Sequence, residues 1–129
     1  DMVLEFGDAL LTLYAPLGSG DTNEEGLSLL CEAGDFSTLI TGDADQEVES
    51  RLVKYGHLPE VDVLVAGHHG SKNAASLPLL DTTAPETAVI SCGYNTYGHP
   101  APETLLRLSQ AGCDIYRTDL QGTVTISVR

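Results

Sequence analysis

Short apolar runs that end in polar turn residues dominate the hydrophobic pattern of this chain. Early in the sequence these runs come in pairs separated by only a few turn residues, a spacing that predicts β-hairpins. The predicted hairpin strands are Val3–Phe6 with Leu10–Tyr14 and Leu27–Glu32 with Phe36–Thr41. Between the hairpins, Ala15 to Gly26 is rich in Gly, Ser, Asp and Asn, which predicts a long loop of the kind that often carries function.

Farther along, strand-like runs alternate with helical patterns. Asp45 to Tyr55 places apolar Val48, Leu52 and Val53 among charged residues and stops at Gly56, so we expect an amphipathic helix. Other segments predict short helices at 74–80 and 102–111 and strands at 61–66, 87–91, 115–116 and 123–128. Hairpins followed by alternating strands and helices predict an α/β layered fold with a mixed sheet.

Two of the predicted strands end in residues that bind metals. The run that begins at Val61 stops at His68, His69, Gly70 and Ser71, and the run from Phe36 stops at Gly42 and Asp43. In layered α/β proteins, ligands gather outside the carboxyl ends of such strands. Carboxylate and neutral imidazole are ordinary ligands of zinc or manganese, so the pattern predicts a divalent metal site.

Plainer interpretations of the same residues stay open. In an extended chain, His68 and His69 point to opposite faces, so we expect one direct ligand while its neighbour packs or contacts substrate. Asp43 alternatively caps the helix that follows it. The turn Asn95–Pro100 carries His99, with Tyr97 nearby. One interpretation is that His99 donates a proton to a leaving group or contacts a phosphate oxygen. A structural histidine that caps the next helix is the alternative at His99.

Charge and size narrow the function classes. The 129 residues carry 19 acids against 6 bases, a formal net charge of −13. Such a charge disfavours a simple nucleic-acid-binding module or a module that binds anionic membranes, but weighs less against a metal-dependent enzyme. No apolar run approaches the roughly 20 residues that cross a bilayer, so we expect no membrane contact by this chain. Three widely spaced cysteines are interpreted as reduced and buried.

Together these residues resemble the metallo-β-lactamase superfamily, and closely resemble the hydrolase domain of ComEC-type competence proteins. The matching stretches are Thr41–Asp43, Asp62–Lys72, Ala88–Ser91, Tyr97–Pro100 and Ile115–Asp119 with Gly122. The resemblance implies an αβ/βα sandwich that binds two metal ions. It also implies an extracytoplasmic domain of a bacterial membrane protein that hydrolyses phosphodiesters during DNA uptake, with DNA as the substrate of the complete protein.

The resemblance also implies roles for single residues. Asp43 corresponds to the carboxylate that bridges both metals and His69 to the last metal-binding histidine, with His68 the weaker candidate. Ser71, Tyr97 and His99 correspond to residues on the substrate side, and Asp43 and His99 are also the expected catalytic residues. The sequence departs from the superfamily in lacking its main motif, His-x-His-x-Asp-His. Asn23, Glu24 and Glu25 stand where another histidine ligand is expected.

These departures predict that the chain is the C-terminal half of such a domain, within a longer polypeptide whose remainder is its partner. On its own it is expected to bind zinc or manganese weakly, to be inactive and to expose one sheet face, which favours a homodimer. Two other functions stay open: a non-catalytic binding module with this fold, and a hydrolase of another ester.

Overall fold

The computed structural model describes residues 2–14 and 27–128 of the chain. Within these residues, seven strands form one sheet whose spatial order follows the order in the chain. The strands are β1 (Met2–Phe6), β2 (Ala9–Tyr14), β3 (Ser28–Ala33), β4 (Phe36–Ile40), β5 (Val63–Val65), β6 (Thr87–Ile90) and β7 (Asp114–Arg117). The helices are α1 (Gln46–Tyr55), α2 (Leu77–Thr83), α3 (Pro102–Gln110) and the short α4 (Thr118–Gln121), with one 3₁₀ turn at Gly67–Gly70.

The sheet is mixed, as the sequence predicts. β1 to β4 pair as antiparallel neighbours through the two predicted hairpins, whereas β4 to β7 pair in parallel. Parallel neighbours need a crossover connection, and α1, α2 and α3 supply one between each pair of successive strands. The carboxyl ends of β4, β5, β6 and β7 therefore meet at one edge of the sheet.

Helix α1 confirms the predicted amphipathic helix and shows which residue caps it. The Asp45 side chain accepts a hydrogen bond of 3.0 Å from the backbone N–H of Val48, so Asp45 is the N-cap. The alternative role of Asp43 as the helix cap is therefore not realised. Leu52 on the inner face of α1 is 1% exposed, and burial of such a side chain stabilises the fold by about 1.5–3 kcal/mol.

The two faces of the sheet differ in their cover. On one face Leu39, Leu64 and Ile90 are fully buried and share one apolar cluster with leucines of α1, α2 and α3. The register of the strands assigns a different set of large apolar side chains to the opposite face. Five of the large apolar side chains on this face keep between 37% and 60% of their surface exposed, namely Met2, Leu4, Phe6, Ile40 and Tyr116.

One predicted strand is wrong. The segment 123–128 alternates polar and apolar residues with the period of a strand, yet no strand forms there. A strand needs a neighbour that completes its hydrogen-bond ladder, and 123–128 has no paired neighbour in the described part of the chain. Val124 to Ile126 instead line a cavity of about 420 Å³ with Phe36, Val63 and Tyr116, residues of the less covered sheet face.

Two short elements differ from the sequence prediction for local reasons. The helix predicted at 74–80 lies at Leu77–Thr83, because side chains from α1 and α3 hold residues 71–76 in turns. The 3₁₀ turn at Gly67–Gly70 and the four-residue helix α4 carry too few residues to show a periodic pattern. Both stand at the strand-end edge, where irregular backbone positions side chains.

Candidate functional site

Four successive strand ends are joined at one edge by hydrogen bonds. The N–H of His68, after β5, donates to the carbonyl oxygen of Gly42, after β4, at 2.8 Å. After β6, the Cys92 N–H donates to the Thr118 hydroxyl at 2.9 Å, and that hydroxyl lies 2.8 Å from the Cys92 carbonyl oxygen. Each strand end is thus fixed relative to a neighbour, which gives the edge a rigid framework.

The two adjacent histidines have a backbone conformation that the sequence does not suggest. His68 has φ 48° and ψ 45°, and His69 has φ 54° and ψ 31°, so both are left-handed. The expectation of an extended chain with the two side chains on opposite faces is wrong. Both histidines line one cavity of about 140 Å³ together with Asp43. The left-handed conformation costs about 1–2 kcal/mol per residue, a strain typical of functional sites.

A hydrogen bond fixes the tautomer of His69. Its Nδ1 lies 2.7 Å from the carbonyl oxygen of Ser91, at the end of β6. A carbonyl oxygen can only accept, so Nδ1 carries the proton and the neutral ring keeps its lone pair on Nε2. Metal-binding histidines are oriented in this way, with the other nitrogen held by a backbone carbonyl. The ring of His69 is therefore held by Nδ1, and Nε2 is left with its lone pair available as an acceptor.

His69 also lines a second cavity. Its volume is about 180 Å³, and His69, Cys92, Tyr97 and His99 are among the residues that line it. Asn95 organises the loop that carries Tyr97 and His99: its Oδ1 accepts both of their backbone N–H groups, at 3.1 and 3.0 Å. His99 also packs edge-on against His68, with ring centroids 5.7 Å apart. The loop therefore places His99 beside the histidine pair.

The tertiary structure brings most of the sequence-predicted site residues together. Asp43, His68 and His69 share one cavity, and His69, Tyr97 and His99 share the next. Ser71 differs, because it is 7% exposed and its hydroxyl accepts a hydrogen bond of 3.3 Å from the N–H of Asn73. Ser71 as a substrate-binding residue stays a prediction. Asn23 and Glu25, the candidate replacement ligands, lie outside the described residues.

The donor chemistry of the first cavity fits a divalent cation, but the donors present do not complete a site. A carboxylate and an imidazole that presents Nε2 are suitable ligands for zinc or manganese. Within residues 2–14 and 27–128, however, no three side chains of His, Cys, Asp or Glu are grouped closely enough to hold a metal ion. Asp43 and His69, with His68 beside them, can thus contribute part of a metal site.

An ion pair at the end of β7 was not singled out from the sequence. Arg117 and Asp119 pair at 2.7 Å, and hydrogen bonding to Arg117 lowers the pKa of the Asp119 carboxyl. Burial, followed by the hydrogen bond and the negative charge of Asp119, raises the pKa of the Cys92 thiol. Cys92 is therefore a protonated, half-buried thiol on the wall of the second cavity. The sequence signal that could have indicated this ion pair is the position of Asp119, two residues after the end of β7.

In the part of the chain that the structure describes, none of the helices combines the length and the apolar character needed to cross a bilayer.

Comparison with known proteins relates this chain to competence proteins. No family model matches it. It is 42% identical over 106 residues to the Competence protein ComA of Neisseria gonorrhoeae, and 36% identical over 103 residues to the ComE operon protein 3 of Bacillus subtilis. These matches cover 81% and 79% of this chain but only 15% and 13% of the relatives. The chain therefore spans about a seventh of the length of the curated relatives that it matches.

A solved structure supports the fold. A mutant of CmlA beta-hydroxylase superimposes with a TM-score of 0.61 and 15% sequence identity, over 90% of this chain and 31% of that chain. At this identity the likeness concerns the fold alone. The expected α/β architecture of the metallo-β-lactamase type is thereby confirmed over a partial region.

Proposed function

We propose that this chain, which is homologous over part of its length to competence proteins of the ComEC type, forms part of a metal-dependent phosphodiesterase domain with DNA as its substrate. The observation that carries this proposal is the meeting of Asp43, His68 and His69 in one cavity at the carboxyl edge of the parallel strands. Ligand sites of layered α/β proteins lie at this edge. The proposed role of the complete protein is DNA uptake during transformation.

In this proposal Asp43 and His69 hold divalent metal ions through a carboxylate oxygen and Nε2, and His68 contributes from the same cavity wall. Two such ions, zinc or manganese, supply an acidified water and a clamp on the phosphate oxygens when bound. Because the described donors fill only part of a site, the remaining ligands come from the rest of the same polypeptide. The parent protein is proposed to lie in the bacterial cell membrane with this domain extracytoplasmic.

The second cavity is proposed to receive the substrate. His99 is half-buried beside His68, in a position to donate a proton to the leaving oxygen of a phosphodiester. Tyr97 is 83% exposed, and an exposed aromatic ring next to a phosphate site can stack on a nucleobase. The net charge of −13 repels DNA, so productive binding depends on the bound cations.

The apolar sheet face opposite the helices is proposed to be covered in the complete protein. It carries Met2, Leu4, Phe6, Ile40 and Tyr116 with large exposed fractions, a surface typical of an interface. The remainder of the polypeptide is the proposed cover. In the isolated chain, a second copy takes its place and gives a homodimer.

The test is nuclease activity of the full-length protein toward single- and double-stranded DNA with added manganese or zinc. Asp43→Asn is expected to lower kcat by at least about a hundredfold, because loss of a metal-bridging carboxylate removes several kcal/mol of transition-state stabilisation. Asp35→Asn, in the turn between β3 and β4, is the matched control and should leave kcat unchanged.

The outcomes separate the candidate functions. Equal activity of Asp43→Asn and the unmodified protein would contradict the proposed site. DNA binding without cleavage in any metal would instead favour a non-catalytic module. Cleavage of lactones, thioesters or phosphocholine esters but not of DNA would identify a hydrolase of another ester.

A further inference from the structure

A buried carboxylate holds the backbone that follows the histidine pair. Glu49 of α1 is 0% exposed, and its two oxygens accept the N–H groups of Ala75 at 2.9 Å and of Ser76 at 2.8 Å. Ala75 is itself left-handed, with φ 53°. A buried carboxylate is costly unless it is fully hydrogen-bonded, so its two bonds to one segment define where that segment lies.

Two side chains of α3 hold the same segment from another side. The hydroxyl of Thr104, also 0% exposed, donates to the carbonyl oxygen of Ser71 at 2.6 Å. Arg107 donates to three backbone carbonyl oxygens of this segment, those of Lys72, Ala74 and Ala75, at 2.7, 2.8 and 3.1 Å. The guanidinium also lies near the Glu49 carboxylate and lowers its pKa, against the stronger effect of burial.

This network is connected to the histidines through the backbone. The N–H of Ser71 donates to the carbonyl oxygen of His68 at 3.0 Å, and the N–H of Ala101, which precedes α3, donates to that of Gly70 at 2.8 Å. Two consecutive left-handed residues other than glycine cost about 1–2 kcal/mol each and persist only where the surroundings impose them.

We propose that Glu49, Thr104 and Arg107 are positioning residues that impose the left-handed turn of His68 and His69. Through this turn they keep Nδ1 of His69 on the Ser91 carbonyl and so leave the lone pair of the ring on Nε2. The structural part of the proposal stands by itself, and its catalytic consequence rests on the proposed function. None of the three side chains needs to touch substrate or metal.

The first test uses the 129-residue chain and proton–nitrogen correlation spectra, which report which ring nitrogen of His69 carries the proton. Thr104→Val removes only the hydroxyl and should replace the single Nδ1–H tautomer by a mixture. Thr104→Ser restores the donor and should restore the single tautomer. Val48→Ala, an apolar truncation on α1, lowers Tm through lost packing and should leave the tautomer unchanged.

The second test is amide exchange at Ala75 and Ser76 in Glu49→Gln, where one oxygen acceptor is replaced by an amide donor. Exchange of these two amides should accelerate by at least about tenfold relative to Val48→Ala, because one buried N–H loses its partner. The proposal is overturned if Thr104→Val and Glu49→Gln lower Tm as Val48→Ala does while the His69 tautomer and both exchange rates stay unchanged.

The catalytic consequence is tested in the full-length protein. Thr104→Val should lower kcat by about tenfold with KM changed less than twofold, and Thr104→Ser should recover it. If the full-length protein cleaves no phosphodiester while the His69 tautomer still responds to Thr104→Val, the proposed function fails and the positioning role stands. Normal kcat together with an altered tautomer would overturn the catalytic consequence alone.

Discussion

At the scale of single residues, the chemistry of this protein depends on how a few polar groups are held. His69 is oriented by one carbonyl oxygen, and the loop that carries His99 is organised by the side-chain amide of Asn95. Glu49 is the opposite case, a carboxylate that never reaches solvent and serves only to bind backbone amides. Its burial raises its pKa, which makes it a measurable probe of the interior.

The raised pKa of Glu49 predicts a pH dependence of stability. Because the folded pKa lies above the unfolded value of about 4.3, the folded state binds the proton more tightly. The stabilisation from this proton is complete below the unfolded pKa and is lost as pH rises through the folded pKa. The free energy of unfolding should therefore fall with pH more steeply in the unmodified chain than in Glu49→Gln, as measured by urea unfolding between about pH 4 and 8.

The neighbouring Glu47 provides the control for this pH dependence. It lies on the same helix, in an exposed ion pair with Arg51. As pH rises over the same range, the difference in unfolding free energy between Glu47→Gln and the unmodified chain should not decrease. Parallel pH profiles for the unmodified chain and Glu49→Gln would show that the buried carboxyl does not titrate differently in the folded state.

At the scale of elements, the strand-end edge depends on close contact between the turn that carries His68 and His69 and the start of α3. Gly70 has φ 78°, and a Cβ there would lie 2.7 Å from Cβ of Pro100, the residue that follows His99. A real side chain does not fit at such a distance. The segment with His68 and His69 and the loop with His99 can therefore pack together only because residue 70 is glycine.

Gly70→Ala is expected to lower the free energy of unfolding by about 2–5 kcal/mol, the sum of a left-handed backbone and an overpacked contact. Gly112→Ala is the matched control, since Gly112 also has a left-handed φ, 84°, but nothing lies within 4 Å of its added Cβ. That variant should lose only about 1–2 kcal/mol. Equal losses in urea unfolding would show that the contact with Pro100 contributes nothing.

At the scale of the whole molecule, the two faces of the sheet differ in how well the described residues cover them. Helices bury Leu39, Leu64 and Ile90, while the register places Phe6 and Tyr116 on the face without helices. The segment 123–128 keeps a strand-like alternation without a strand partner in the described residues. Both features are typical of a surface that is completed by further polypeptide.

The uncovered face predicts self-association of the isolated chain. Phe6→Lys places a charge on this face and should raise the dimer Kd by at least about tenfold, measured by sedimentation velocity, because a buried unpaired charge costs more than 1.4 kcal/mol. Val3→Lys is the control, since Val3 lies on the other face of the same strand and is 59% exposed, against 60% for Phe6. A monomeric unmodified chain, or equal effects of both substitutions, would contradict this interface.

Metal affinity is the second prediction at this scale. Among the described residues, Asp43, His68 and His69 meet at one cavity, which is too few donors for two metal ions. After dialysis, mass spectrometry should find well under one zinc or manganese per chain, whereas the full-length protein should retain about two. Tight stoichiometric metal on the isolated chain would contradict a site shared with the rest of the polypeptide.

The sequence by itself determined most of the elements and which strand ends carry potential metal-binding side chains. Apolar runs of strand length, the period of α1 and turn residues are local signals, so the hairpins and the mixed sheet were predictable. So was the placement of Asp43 and the histidine pair after strands, because side-chain chemistry follows directly from the sequence.

Only the tertiary structure decided how these residues are presented. The hydrogen bond of His69 to the Ser91 carbonyl and the buried role of Glu49 depend on partners more than twenty residues away in sequence, and the left-handed backbone of His68 and His69 has no local sequence signal. For the same reason the alternating pattern of 123–128 did not become a strand. A periodic pattern indicates which side chains can be buried, but the backbone forms a sheet only where a neighbouring strand is present to complete its hydrogen bonds.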